Sequence, residues 1–154
     1  MMTRWLDPSS KRRVYVLHAA SSGDWPATRS WEGEHFALFV ATARDLELGS
    51  MPARALQQGL AAVAAWGAGC QEVENAFDDA IVGDGSGVET IEEVILTTSH
   101  AEESLREALE FFLDVYFPAA SYKERCRAWV IFAIDSVAHD VEELLLERGS
   151  ERSA

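Results

Sequence analysis

Short apolar segments without a polar face recur along this chain, and they constrain its fold more than any other feature. Residues 36–42 (Phe-Ala-Leu-Phe-Val-Ala-Thr) and residues 127–134 (Arg-Ala-Trp-Val-Ile-Phe-Ala-Ile) are almost wholly apolar and do not alternate. This pattern is typical of strands in a parallel sheet, because helices cover both faces of such a sheet. We therefore predict that both segments are interior strands of an α/β domain.

Other segments predict further strands, and one of them is ambiguous. Residues 13–18 are rich in β-branched and aromatic side chains and predict the first strand, and residues 94–98 predict a later one. Residues 60–66 (Leu-Ala-Ala-Val-Ala-Ala-Trp) are rich in alanine, which favours a helix. The glycines on either side and the unbroken apolar run favour a buried strand instead. The residues alone leave both interpretations open.

Helical patterns occupy the intervals between these strands. A helix opens near Pro52, and a second covers residues 71–82 with apolar residues at positions 73, 76, 77, 80 and 81. Ser99 and Glu102 have the spacing of a capping box and predict the start of a third helix, which Pro118 closes. A last helix is predicted from about Ser136.

Strands that alternate with helices predict an α/β fold. We expect a three-layer sandwich with a mostly parallel sheet of four or five strands and helices on both faces. A chain of 154 residues corresponds to one domain, 1–154. Within it we distinguish a basic strand and tryptophan-containing loop (1–35), a core (36–148) and a frayed tail (149–154).

Acidic residues outnumber basic ones two to one, with 26 Asp+Glu against 13 Lys+Arg and a net charge of −13. Residues 1–30 contain five basic and two acidic residues (net +3), and the remainder contains eight and 24 (net −16). Such an acidic body repels phosphate backbones, so we exclude double-stranded nucleic acid as a partner. An acidic surface suits a basic partner protein.

The composition excludes several other classes of protein. No apolar run approaches the roughly 18 residues of a membrane span, and residues 1–8 lack the apolar core of a signal peptide, so we expect a cytoplasmic protein. Cys70 and Cys126 form no CxxC motif and are expected to be reduced. The histidines lack metal-ligand spacing, and residues 83–87 follow a helix and lack the lysine of a phosphate loop. We predict no metal and no cofactor.

Reactive side chains follow the predicted strands, where ligands bind in open parallel sheets. The ligand-binding candidates are Arg44 as an anion contact, Trp66 as a stacking surface and His100. Two catalytic pairs are conceivable on chemical grounds, Cys70 with His100 as nucleophile and base, and Asp135 with His139 as orienter and base. The structural alternatives are a buried cysteine and a carboxylate that stabilises a helix N-terminus.

Two tryptophans and two glutamates are candidates for contact with a partner. Trp25 and Trp31 lie in the long segment from Ala19 to Glu34, and tryptophan is enriched at interfaces. The alternative is that both side chains fold back over the edge of the sheet. Glu142 and Glu143 on the last helix are the acidic candidates.

Residues 36–135 resemble an uncharacterised family of small bacterial α/β proteins, defined as a domain of unknown function. The matching segments are Phe36-Ala-Leu-Phe-Val, Ala65-Trp66-Gly67 with Cys70, Thr97-Thr98-Ser99-His100, residues 105–113 and the closing strand to Asp135. The resemblance implies a strand at 60–66 and implies no activity.

Three functions remain as hypotheses. The first is a non-enzymatic interaction module that binds a partner protein, by analogy with accessory proteins of bacterial conflict or defence systems. The second is a sensor for a small ligand or nucleotide at the carboxyl ends of the strands. The third is a cysteine- or histidine-dependent hydrolase or transferase. The sequence favours a protein that is not an enzyme, and it leaves homo-oligomerisation open.

Overall fold

The structure, a computed structural model, describes residues 1–83, 94–116 and 118–153. These residues form a mixed α/β fold with one seven-stranded sheet and four α-helices. The strands are β1 (Met2–Asp7), β2 (Arg12–Ala19), β3 (His35–Thr42), β4 (Leu60–Gly67), β5 (Leu96–His100), β6 (Cys126–Ile134) and β7 (Glu151–Ser153). The helices are α1 (Met51–Gln57), α2 (Cys70–Val82), α3 (Leu105–Glu110) and α4 (Val137–Glu147), and a π-helical turn (Phe111–Val115) extends α3.

The sheet is mixed, so the prediction of a mostly parallel sheet of four or five strands was wrong. Its order is β5-β4-β3-β6-β2-β1-β7. Neighbours from β5 to β2 pair in parallel, whereas β1 pairs antiparallel with both β2 and β7. The two strands that sequence analysis missed are β1 and β7. The residues of β7 are all exposed, and the segment predicted as a frayed tail becomes a strand because β1 offers it a free edge.

The ambiguous segment is the strand β4, which confirms what the family resemblance implied. It lies between β3 and β5, and residues 60–65 are almost completely buried. Gly67 closes β4 at φ +101°, where a Cβ atom would lie 1.8 Å from the carbonyl oxygen of Thr42. Only glycine permits this approach, because it has no Cβ atom and tolerates positive φ.

The third helix begins later than predicted. Ser99 lies inside β5, and the N-cap of α3 is Ser104, whose side chain accepts a hydrogen bond of 3.1 Å from the Glu107 N–H. The Ser-x-x-Glu pattern occurs at both positions, and pairing of β5 with β4 extends the strand through the first of them. The segment 83–87, which we rejected as a phosphate loop, lies from residue 84 onwards outside the described residues.

Alternate strand residues belong to two apolar clusters. One contains buried residues of α1 and α2 together with Trp25 and Trp31, and the other contains buried residues of α3 and α4.

Within the described ranges, the helices are too short or too polar to cross a membrane.

Candidate functional site

An ion pair connects the carboxyl ends of β3 and β6, and hydrogen bonds to backbone carbonyls connect both to the end of β2. Arg44 donates from Nε to Asp135 Oδ2 at 2.8 Å and also donates to the carbonyl oxygen of Ala20. Asp135 adopts a left-handed conformation (φ +56°), and its N–H donates to the Ala19 carbonyl at 2.8 Å. The guanidinium that we predicted as an anion contact is therefore engaged by the chain itself.

His100 and Trp66 lie together, and both contact Glu103. His100 Nδ1 lies 3.0 Å from Glu103 Oε2, and its Nε2 lies 3.0 Å from the Thr98 hydroxyl. Trp66 Nε1 donates to the Glu103 carbonyl at 2.8 Å, and the Phe111 ring packs 4.7 Å from the imidazole. His100 is buried, and its two ring nitrogens are both occupied by these contacts within the chain.

Neither of the two candidate catalytic pairs is in contact: not Cys70 with His100, and not Asp135 with His139. Cys70 is buried in the cluster that contains α1 and α2, whereas Trp66, the strand partner of His100, packs on the cluster of α3 and α4. The thiol and the imidazole thus lie on different sides of the sheet. Asp135 binds Arg44, and His139 instead contacts Glu143 at 3.0 Å on the surface of α4.

The tryptophans that we predicted for partner contact belong to the core. Trp25 and Trp31 are 1% and 5% exposed and pack on Phe36 with ring centroids 6.0 and 4.9 Å away. Both side chains therefore fold back onto the sheet, as in the alternative interpretation given above. Glu142 is largely buried, and it accepts a 2.6 Å hydrogen bond from the Thr3 hydroxyl. Glu143 is exposed.

At the opposite ends of the strands, the amino ends of β2 and β6 border a cleft of about 440 Å³. We call it the basic cleft. Both lysines of the sequence and three of its arginines line it. The complete lining is Lys11, Arg12, Arg13, Glu32, Pro118, Lys123, Cys126, Arg127 and Trp129.

The floor of the basic cleft is built around Arg12. Its guanidinium lies 3.6 Å above the centre of the Trp129 ring, and its Nη1 donates to the Phe112 carbonyl at 2.9 Å. Burial raises the pKa of the neighbouring Cys126 thiol to about 12, an effect that the charge of Arg12 only partly offsets. Cys126 is therefore a protonated thiol at neutral pH rather than a nucleophile.

The rim of the cleft consists of four exposed cations from two segments of the chain. Lys11 lies in the β1–β2 turn, where its N–H donates to the Asp7 carbonyl at 2.7 Å. Arg13 forms an ion pair with Glu32 at 2.9 Å. Lys123 lies in the segment that enters β6, and Arg127 is the second residue of that strand. The ammonium groups of Lys11 and Lys123 make no hydrogen bond or ion pair with any described residue.

Sequence analysis noted that residues 1–30 are basic but did not identify this cleft. A signal was present, because basic residues precede two predicted strands, at 11–13 and at 123–127. The amino ends of adjacent parallel strands meet at one edge of a sheet. Recognising the cleft required knowing that β2 and β6 are neighbours, which more than 100 residues of intervening chain conceal.

Two further cavities adjoin the basic cleft. A cavity of about 450 Å³ shares Arg13 and Glu32 with it and extends along β1 past Arg4. Another of about 370 Å³ shares Glu32 and Arg127 and also contains Arg125. The three spaces therefore meet at Glu32.

Comparison with known proteins identifies a family and no activity. A family model described as a domain of unknown function (DUF7684) matches residues 14–147, a wider range than the resemblance noted from the sequence. No curated protein and no solved structure matches the chain.

Proposed function

The chain belongs to the DUF7684 family, a domain of unknown function, and we propose that it is a non-enzymatic binding protein that holds a phosphate-bearing small molecule in the basic cleft. The observation that carries this proposal is the convergence of Lys11, Arg13, Lys123 and Arg127 on one cleft of a chain with net charge −13.

The charge of the cleft is opposite to that of the whole chain. Five of the 13 basic residues line it, whereas Glu32 is its single acidic residue among the described part of the chain. Charges of one sign in a concave, low-dielectric surface concentrate the electrostatic potential and attract the opposite charge. The chain as a whole is acidic, so the cleft is where we expect an anion to bind.

The cations suit phosphate better than a single carboxylate. Arginine donates in a planar fork, and lysine presents a compact charge with three donors, so together they can contact several oxygens of one group. A phosphate monoester offers three acceptor oxygens and nearly two negative charges. The cleft volume of 440 Å³ lies within the roughly 300–1,000 Å³ range of small-molecule pockets.

The groups in the cleft favour binding over chemistry. Cys126 has a raised pKa and is therefore a poor nucleophile at neutral pH. No histidine occurs among the described residues that line the cleft. The proposal keeps the ligand class that we expected for a sensor and moves its site from the carboxyl to the amino edge of the sheet.

Calorimetric titration with inorganic pyrophosphate at low ionic strength tests the proposal. We expect saturable binding to the unaltered protein and a loss of at least about tenfold in affinity when Lys11→Gln and Lys123→Gln are combined, since each removes one charge-assisted contact. The matched control combines Arg106→Gln and Arg152→Gln, which removes the same charge from exposed positions outside the cleft. Absence of binding, or equal losses in both variants, would refute the site.

A second candidate function is binding of a basic partner protein, which we expected from the acidic composition. A specific surface favours it: Glu103, Glu107, Glu110 and Asp114 line one shallow groove along α3 and its π-helical turn. The exposed side chain of Val115 lies in the same groove. We call this surface the acidic groove. Acidic residues around an apolar patch complement a basic amphipathic segment.

A further inference from the structure

Glu32 differs from the other charged residues of the basic cleft in its charge and in its position. It is the acidic residue among five basic ones, and it borders both adjoining cavities. Its Oε2 accepts a hydrogen bond of 2.9 Å from Arg13 Nη1. Both side chains are more than half exposed, at 64% and 60%. One of the four rim cations is thus already bound to an anion that belongs to the chain.

The backbone on both sides of Glu32 is held in place. The ring of Trp31 is buried and packs 4.9 Å from that of Phe36. Gly33 has φ +93°, and a Cβ atom there would lie 3.1 Å from Arg127 Cβ. Glu32 is therefore anchored at its neighbours, and its side chain is the part that can rotate without moving the segment.

Rotation would leave the carboxylate near other cations. The cavity on the far side of Glu32 contains Arg125 and Arg127. Arg125 interacts there with Glu34 at 3.8 Å, at the long end of an ion pair. Glu34 and Glu124 also line this cavity, so a Glu32 side chain released from Arg13 would have arginines nearby but would gain no net positive surroundings in exchange for its ion pair.

We propose that Glu32 is an internal competitor that a ligand must displace from Arg13, and that it selects for ligands with two or more negative charges. This inference rests on the proposed function. A monoanion bound at Arg13 bears the whole cost of displacing Glu32, whereas a multiply charged phosphate can also be held by the lysines while the Arg13–Glu32 pair is still formed, so Glu32 weakens its binding less. Exposed ion pairs are weak and salt-sensitive, so such an exchange is feasible.

The test compares pyrophosphate with dimethyl phosphate, a monoanion, by calorimetry on the unaltered protein and on Glu32→Gln. We expect Glu32→Gln to bind both anions more tightly, dimethyl phosphate by the larger factor, so that the preference for pyrophosphate falls by about threefold or more, a factor on the scale of one exposed ion pair. The matched control is Glu147→Gln, which removes an exposed carboxylate that also pairs with an arginine (Arg106) but lies outside the cleft and its adjoining cavities, and which should leave the preference unchanged.

A double-mutant cycle with Arg13→Gln separates displacement from a general change of charge. If Glu32 acts through Arg13, Glu32→Gln changes the preference much less when Arg13 is already replaced. An equal effect in both backgrounds, or an unchanged preference, overturns the inference while leaving pyrophosphate binding intact. Failure of the unaltered protein to bind pyrophosphate overturns the proposed function itself.

Discussion

Asp7 shows how one residue connects three parts of the chain. Its carboxylate is fully buried and accepts hydrogen bonds from Arg148 at 2.8 Å, from the Ser10 hydroxyl at 2.5 Å and from the Ser150 hydroxyl at 2.8 Å. The β1–β2 turn, the end of α4 and the segment entering β7 are thereby linked. Because Lys11 lies in that turn, this network also positions one rim cation of the basic cleft.

Asp7 predicts a pH dependence of stability. Burial alone would raise the pKa of Asp7, but hydrogen bonds from Arg148, Ser10 and Ser150 outweigh it and lower the pKa from 3.8 to about 2. A carboxylate with a depressed pKa stabilises the fold fully above its unfolded pKa, and that contribution is lost as the pH falls from about 4 to 2.

We therefore expect Asp7→Asn to lower the free energy of unfolding by about 2 kcal/mol or more at pH 7, since it removes one partner of a buried ion pair. Urea denaturation measures the difference, which should shrink between pH 4 and pH 2. Asp140→Asn, at an exposed position of α4, is the control. A difference independent of pH would show that the charge of Asp7 does not stabilise the fold.

At the scale of elements, close contacts between neighbouring strands decide what each segment becomes. β4 pairs with β3 up to Gly67, which lies opposite Thr42. The Thr42 hydroxyl donates a hydrogen bond to the Arg44 carbonyl at 2.7 Å. The alanines of β4 have no strong strand preference, and burial between two neighbouring strands overrides their helix propensity. The chain then turns into α2, which begins at Cys70.

Gly67→Ala should therefore be far more damaging than a glycine replacement elsewhere. The new Cβ atom would lie 1.8 Å from the Thr42 carbonyl oxygen, so β3 and β4 must separate. Gly49→Ala is the matched control, because Gly49 also has positive φ (+53°) but has no atom within 4 Å of a Cβ position. Thermal unfolding should show a small loss for Gly49→Ala, on the order of 1 kcal/mol, and a loss several times larger for Gly67→Ala. Equal losses of stability in the two variants would mean that the positive φ angle, and not the close approach to Thr42, determines the cost of the substitution.

At the scale of the whole molecule, the chain separates its charges into two surfaces. The basic cleft lies at the amino ends of β2 and β6, and the acidic groove lies along α3. A net charge of −13 keeps the surface as a whole repulsive to anions. The two surfaces can therefore be tested independently with probes of opposite charge.

For the acidic groove, the probe is a synthetic amphipathic peptide of lysine and leucine. We expect Glu107→Gln with Glu110→Gln to weaken its binding about threefold or more, since exposed charge pairs each contribute a fraction of a kcal/mol. Glu72→Gln with Asp79→Asn on α2 removes the same charge from exposed positions elsewhere and should have less effect. Equal weakening by both pairs, measured by fluorescence titration, would indicate attraction to net charge rather than to the groove.

The sequence allowed the prediction of features that depend on near neighbours along the chain. The apolar runs at 36–42 and 127–134 are strands, and the residue patterns at 71–82 and after Ser136 are helices, because burial and helical periodicity leave local signals. The start of α3 was misplaced, since two similar capping patterns lie five residues apart and only strand pairing distinguishes them.

The candidate site could not be predicted in the same way. Arg44, His100 and Asp135 do lie at strand ends as expected, but their partners (Ala20, Glu103 and Arg44) are set by side-chain packing that no spacing reveals. Trp25 and Trp31 lie in a segment with a polar pattern, yet the cluster around Phe36 buries both.

By itself, the sequence determined the α/β class, most of the strand and helix positions and the acidic excess, because propensity, periodicity and composition are properties of local sequence. Tertiary structure alone decided the mixed sheet, the strand β7 and the basic cleft. Each of these arises when backbone hydrogen bonds and apolar burial bring together segments far apart in the chain, such as residues 11–13 and 123–127 at adjoining strands. The free energy of such pairing depends on which strands are neighbours, and that choice has no local signal.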